Sequence, residues 1–157
     1  MVPIINLVSM THLVLLSLWG GVVATEAVLE LYPYRRTALH EHSIRYHFWI
    51  DLCVELPVIL GVLATGICLA VLAWPITATH WIKLSAALIA VSANLLCVYL
   101  VVRRKTRLDQ GASEAELWQA TRRIVMCAVI GLPFAAAAAG LGFFLAYHRL
   151  LDLLSAG

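Results

Sequence analysis

Residues 46–73 read YHFWIDLCVELPVILGVLATGICLAVLA, an apolar run that carries one histidine and two acids at intervals of four. Crossing about 30 Å of hydrocarbon takes roughly 20 helical residues, and this stretch supplies them. At 3.6 residues per turn, steps of four hold His47, Asp51 and Glu55 on one face. An ionisable side chain in mid-membrane costs roughly 2.5–3.5 kcal/mol on insertion scales, so such groups face a bundle interior and not lipid. The stretch therefore predicts a membrane helix with its polar face turned inward.

Three further runs of similar length lie at 5–31, 80–102 and 124–147. Together they predict an all-α, four-transmembrane-helix bundle, a single integral membrane domain over residues 1–157 in contact with the lipid bilayer. Composition agrees. Hydrophobic residues are 62% of the chain and charged residues 13%, against about 25% charged in soluble domains. Mean hydropathy is +0.91. The first run has no basic leader and no small-residue cleavage site, and is read as a retained helix. Tyr32-Pro33-Tyr34 and Trp74-Pro75 end the first two helices. The last holds Pro133, the run Ala135 to Ala139, Gly140 and Gly142, small residues that allow close helix packing in lipid. A net charge of +2 is too small to suggest nucleic acid, and no nucleic-acid partner is expected. Cys53, Cys68, Cys97 and Cys127 sit singly in apolar runs and read as small buried hydrophobes.

Loop charges orient the bundle. Arg35, Arg36 and Arg45 flank the first loop. Arg103, Arg104, Lys105, Arg107, Arg122 and Arg123 fall in the third, residues 103–123, whereas Pro75 to Thr79 carries none. By the positive-inside rule the first and third loops are cytoplasmic and both termini periplasmic; Arg149 is the one dissenting charge. Ser113 to Glu116 reads as a capping box that starts a short cytoplasmic helical extension.

Two polar layers follow. Glu26 and Glu30, four apart, end the first helix on the cytoplasmic side, where His47, Asp51 and Glu55 begin the second; Asn94 and Tyr99 of the third fall at similar depth. Three readings stay open for this layer. Carboxylates with an imidazole suit a metal ion held by Glu26, His47, Asp51 and Glu55, although no Glu-x-x-His pair is present. Acids at that depth also suit proton or quinone chemistry. Alternatively, Glu30 and His47 pair with Arg35, Arg36 or Arg45 among headgroups. On the periplasmic side His12, His80, Lys83 and His148 share a depth, and His12 is a candidate axial haem ligand; Lys83 would otherwise snorkel to the surface. His40 and His42 read as solvated loop residues.

Several short motifs carry a resemblance. They are His12-Leu-Val-Leu-Leu-Ser-Leu-Trp19-Gly20, Pro57 with Gly66 nine residues on, and His80-Trp-Ile-Lys83-Leu with Asn94 and Cys97 beyond it. Over residues 8–104 the chain resembles the HemJ family of bacterial protoporphyrinogen oxidases, itself similar to CopD-type copper-resistance membrane domains. The resemblance implies haem b with His12 as axial ligand, Lys83 as a substrate or haem contact and His80 nearby. Asn94 stands where the family carries a histidine, and Asp51 and Glu55 are not part of its pattern.

The function expected from this is a haem-binding redox protein of the bacterial inner membrane. It would act on a porphyrinogen or exchange electrons with a quinone, with Asp51 and Glu55 moving protons. Two alternatives remain: a non-catalytic accessory subunit of a larger respiratory or photosynthetic membrane complex, or a CopD-like metal-binding membrane protein. The protein partner expected is either a second copy of the chain, as a homo-oligomer, or that larger complex. With methionine only at Met1, Met10 and Met126, copper is disfavoured.

Overall fold

A computed structural model describes residues 2–31 and 39–155. The expected terminator Tyr32-Pro33-Tyr34, together with Arg35, Arg36 and the side chain of Arg149, lies outside the described residues. Four helices are long and apolar enough to cross a membrane, which makes this a multi-pass membrane protein. They are α1 (Val2–Leu31), α2 (His40–Leu72), α3 (Ala78–Asp109) and α4 (Glu114–Ser155). No strand occurs among the described residues.

The helices outrun the expected spans wherever charge accumulates. At 1.5 Å per residue, the 32-residue α3 is about 48 Å long, well beyond the roughly 30 Å of hydrocarbon. The basic segment 103–123 is therefore mostly helical, not loop. α3 runs on to Asp109 and α4 starts at Glu114. Between them Gly111, at φ +78°, gives the left-handed residue that closes a helix end. Its N–H bonds to the Leu108 carbonyl at 3.1 Å, and that of Ala112 to the Arg107 carbonyl at 3.0 Å. The expected cap is present: the Ser113 N–H and hydroxyl both donate to the Glu116 carboxylate, at 2.9 and 2.8 Å. Likewise α2 begins at His40, six residues before its expected start at 46, so His40 and His42 are helical.

α2 is not uniform. Regular helix over His40–Ile50 widens into a single π turn, Asp51–Glu55, and resumes over Leu56–Leu72. The Leu56 N–H reaches the Asp51 carbonyl. Pro57 explains the place of the turn: it has no N–H to give the Cys53 carbonyl, and its ring would crowd that group. Widened turns of this kind are frequent at functional sites. Here the turn keeps both Asp51 and Glu55 buried while Leu52, Cys53 and Val54 face outward.

Packing runs in two pairs. α1 lies along the Leu56–Leu72 half of α2, and α3 lies along α4. Ile59, Val62 and Val91 form the apolar core, with Leu15, Leu16 and Trp19 against it. Close approach depends on two glycines. A Cβ on Gly61 would meet Leu15 Cδ1 at 3.1 Å, and one on Gly131 would meet Ala93 Cβ at 2.8 Å. Outward faces are apolar, as lipid requires: Leu7, Met10, Val71, Val129 and Phe143 are each more than 60% exposed. α1 and α4 pack little on one another, which leaves a groove between them with the polar face of α2 behind it.

Candidate functional site

The inward polar faces meet at the end of the bundle where α1 stops and α2 begins, here called the basic end. Glu26 and Glu30 of α1, His47, Asp51 and Glu55 of α2, Asn94 and Arg104 of α3 and Thr121 of α4 are all buried there. They stack in three tiers.

Arg104 closes the outermost tier. Its guanidinium, 1% exposed, donates to both Glu30 carboxylate oxygens, at 2.8 and 2.5 Å, and to the Thr121 hydroxyl at 2.7 Å. Such a two-pronged arginine–carboxylate pair fixes orientation as well as charge. Thr121 in turn meets His40 Nε2 at 3.1 Å, and the His40 ring stacks on Trp118 with centroids 3.9 Å apart. His40, 4% exposed, is thus a buried part of the tier and not a solvated loop residue.

His47 joins this tier to the next. Its Nδ1 contacts a Glu30 oxygen, and since a carboxylate has no proton to give, Nδ1–H is the donor. The Arg104 Nη2 lies 3.1 Å from the same nitrogen. On the other side of the ring, Nε2 is 3.0 Å from Asp51 Oδ1 and 4.0 Å from Glu26 Oε2. The Asp51 contact is an ion pair whenever the imidazole carries a proton on both nitrogens. Both Asp51 oxygens, and Glu26 Oε1, lack a donor among the described residues. Glu26, His47 and Asp51 can each present one ligand atom with all three within 4.8 Å of one another.

Glu55 forms the innermost tier. Its Oε1 accepts from Trp19 Nε1 at 3.2 Å and from Asn94 Nδ2 at 2.5 Å. The carboxylate is thereby held toward α1 and α3 and stands apart from the three-ligand group, which does not include it. Beside this tier a cavity of about 270 Å³ lies behind the α1–α4 groove, bordered by Trp19, Glu26, Ala93, Asn94, Ala128 and Leu132.

Four carboxylates thus face one guanidinium and one imidazole. Even a fully charged imidazole leaves two negative charges unbalanced in a buried site. An unpaired buried charge costs several kcal/mol, so the excess negative charge has to be neutralised, either by protons on two of the carboxyls or by a bound cation.

The second polar layer is thinner than the sequence implies. His12, half-buried, bonds through Nδ1 to the Thr65 hydroxyl at 2.8 Å, and its ring sits in the notch left by Gly66. Lys83 fills a similar notch, its Nζ 3.3 Å from where a Gly142 Cβ would stand. His80 turns to its own helix start, with Nδ1 2.8 Å from the Thr77 hydroxyl. His148 is exposed against the edge of Phe144. Tyr99 also points outward, beside Arg103, so it does not belong to the acidic layer.

Two sequence expectations need correction. Glu30 pairs with Arg104, whereas Arg45 turns away to Glu41 at 2.8 Å and Asp109 at 3.7 Å. Cys53 and Cys68 are exposed, because the outside of this bundle is lipid, where a small apolar thiol is at no disadvantage. Arg104, Trp19 and Thr121 are site residues that reading the spans by hydropathy does not find.

No family model, curated protein or solved structure matches the chain. Fold and site together define a multi-pass membrane protein with a buried acid–histidine cluster joining all four helices.

Proposed function

We propose that this protein binds a cation inside its membrane bundle, at the cluster centred on Glu26, His47 and Asp51. The buried charge together with the geometry carries this reading. Four carboxyls against one guanidinium and one imidazole leave negative charge to neutralise. Glu26, His47 and Asp51 present three ligand atoms within 4.8 Å of one another, so that a cation can take the place of protons there. With the basic end taken as cytoplasmic by the positive-inside rule, the site lies in the cytoplasmic half of a bacterial inner membrane, with both termini periplasmic. Thermal unfolding of the chelator-treated protein in detergent, with Na⁺, Mg²⁺, Ca²⁺, Mn²⁺, Fe²⁺ or Zn²⁺ added in turn, tests it. A cation at a hundred times its Kd stabilises by about 2.7 kcal/mol. The expected result is a saturable rise in Tm with at least one cation that Asp51→Asn abolishes. No rise with any of them, or an undiminished rise in the variant, would refute the reading.

A redox role with haem b on His12 is a second reading, favoured by the ring's tautomer. The Thr65 hydroxyl donates to the Gly61 carbonyl at 2.7 Å, so it accepts from His12 Nδ1–H. The lone pair then falls on Nε2, and a fixed Nδ1–H is the usual partner of a metal-ligating imidazole. Haem there would supply one-electron chemistry, with Lys83 of α3 as a further contact and a porphyrinogen or quinone as reactant. Spectra of the purified protein, oxidised and dithionite-reduced, decide it: a Soret band lost in His12→Ala supports the reading, and a featureless spectrum from haem-replete cells removes it.

A further inference from the structure

We propose that Glu26, His47 and Asp51 hold one divalent transition-metal ion of the manganese, iron or zinc kind, with Glu30 and Arg104 positioning His47 toward it. This names the cation of the reading above and rests on that reading.

Four observations converge on it. First, the three ligand atoms come from two helices and lie within 4.8 Å of one another, with His47 Nε2 3.0 Å from Asp51 Oδ1 and 4.0 Å from Glu26 Oε2. Ligands of one ion at bond lengths of about 2.2 Å span at most about 4.4 Å, so a small inward shift of the side chains closes the group on an ion. Second, Asp51 is 1% exposed, neither of its oxygens accepts a hydrogen bond among the described residues, and its close polar neighbour is His47 Nε2, 3.0 Å from Oδ1. A carboxylate buried with so little donation is costly, and an ion shared with that nitrogen removes the cost. Third, His47 has the two-sided arrangement of a metal-bound imidazole. Its Nδ1–H is taken by Glu30, which Arg104 clamps with two hydrogen bonds, and Nε2 faces Asp51 and Glu26. A carboxylate on the far nitrogen fixes the tautomer and raises the basicity of the ligating one. Fourth, the π turn widens α2 over Asp51–Glu55, with Asp51 beside His47 in the group while Glu55 goes to Trp19 and Asn94.

The donor set selects the class of metal. Two carboxylates and one imidazole suit manganese, iron and zinc, whereas copper(I) favours sulfur. The nearby thiols are otherwise engaged, Cys127 with the Ala93 carbonyl at 3.3 Å and Cys97 with that of Ile124 at 3.8 Å. Three protein ligands leave further positions for water or a small reactant, and Glu26 and His47 both border the 270 Å³ cavity from which one would come.

Elemental analysis of the full-length protein, purified in detergent without chelator, tests the proposal. About one manganese, iron or zinc ion per chain is expected, falling to background in His47→Ala and Asp51→Asn. A variant that fails to fold leaves the question to Glu30→Gln, which keeps the ligands. There the ion is expected to bind roughly 10- to 100-fold more weakly, and the visible bands of the cobalt(II)-loaded protein to shift. Metal content indifferent to His47→Ala, or cobalt bands identical in wild type and Glu30→Gln, would overturn the assignment. A Tm that responds to Na⁺, Mg²⁺ or Ca²⁺ while no transition ion binds would overturn it and leave the cation reading standing. A Tm that responds to no cation removes both.

Discussion

Replacing Arg104 by methionine isolates the interaction that ties α1, α3 and α4 together at the outer end of the cluster. Methionine keeps much of the stem and deletes the charge. The guanidinium is 1% exposed and donates to both Glu30 oxygens and to Thr121. Its loss strands a carboxylate that is itself 5% exposed. Breaking a buried pair by removing one partner costs about 3–5 kcal/mol, which at 1.4 kcal/mol per decade is roughly two to three and a half orders of magnitude in the folding equilibrium. The surface pair Arg45–Glu41, 46% and 58% exposed at its side chains, is the internal comparison and is worth about 0–1 kcal/mol. Denaturant titration of the detergent-solubilised protein, followed by tryptophan fluorescence, reads both. In Arg104→Met with Glu30→Met the stranded charge is gone, so the double variant is expected to recover much of the loss. Should Arg104→Met cost no more than Arg45→Met, or the double variant be as unstable as the sum of the singles, the buried clamp would be refuted.

Three further stability consequences are read by the same titration, and a fourth by elemental analysis. Gly131→Ala puts a Cβ 2.8 Å from that of Ala93, two groups with no flexible end to yield, so α3 and α4 must part at a cost of about 1–3 kcal/mol. Gly140→Ala, with nothing within 4 Å, is the control and should be neutral or slightly stabilising. His40→Ala loses the stack on Trp118 and a buried bond to Thr121; about 1–3 kcal/mol is expected, and an unchanged midpoint would return His40 to the solvated loop. His12→Ala should leave metal content at the acidic cluster untouched, since Thr65 and Gly66 are the ring's neighbours.

Much of this architecture can be read from the chain because lipid imposes a simple rule. Apolar length counts the helices, and Glu26, Glu30, His47, Asp51 and Glu55, costly anywhere outside an interior, mark the inward faces. Arg104 escapes that logic. It sits in the run Arg103-Arg104-Lys105, which hydropathy assigns to a charged loop past the end of a span. The distinguishing signal is helical phase: Asn94, Val98, Val101 and Arg104 continue one buried stripe at steps of four, three and three. Leu117, Thr121 and Ile124 make the matching stripe on α4, and His40 and Ile44 extend the face of α2. Membrane thickness fixes the minimum length of a span and not its end, so buried polar residues beyond the hydrocarbon are visible only through periodicity. The π turn is foreshadowed by Pro57. Which acid it would aim at His47 and which at Trp19 depends on packing between helices, which no local pattern encodes.

The measurement closest to the central claim is X-ray absorption at the metal edge of the protein as purified. The account predicts an oxygen-rich shell with one imidazole nitrogen at about 2.0–2.1 Å, lost with His47→Ala. A sulfur shell near about 2.3 Å, which would place the ion on Cys97 and Cys127 instead, or a protein free of metal would contradict it.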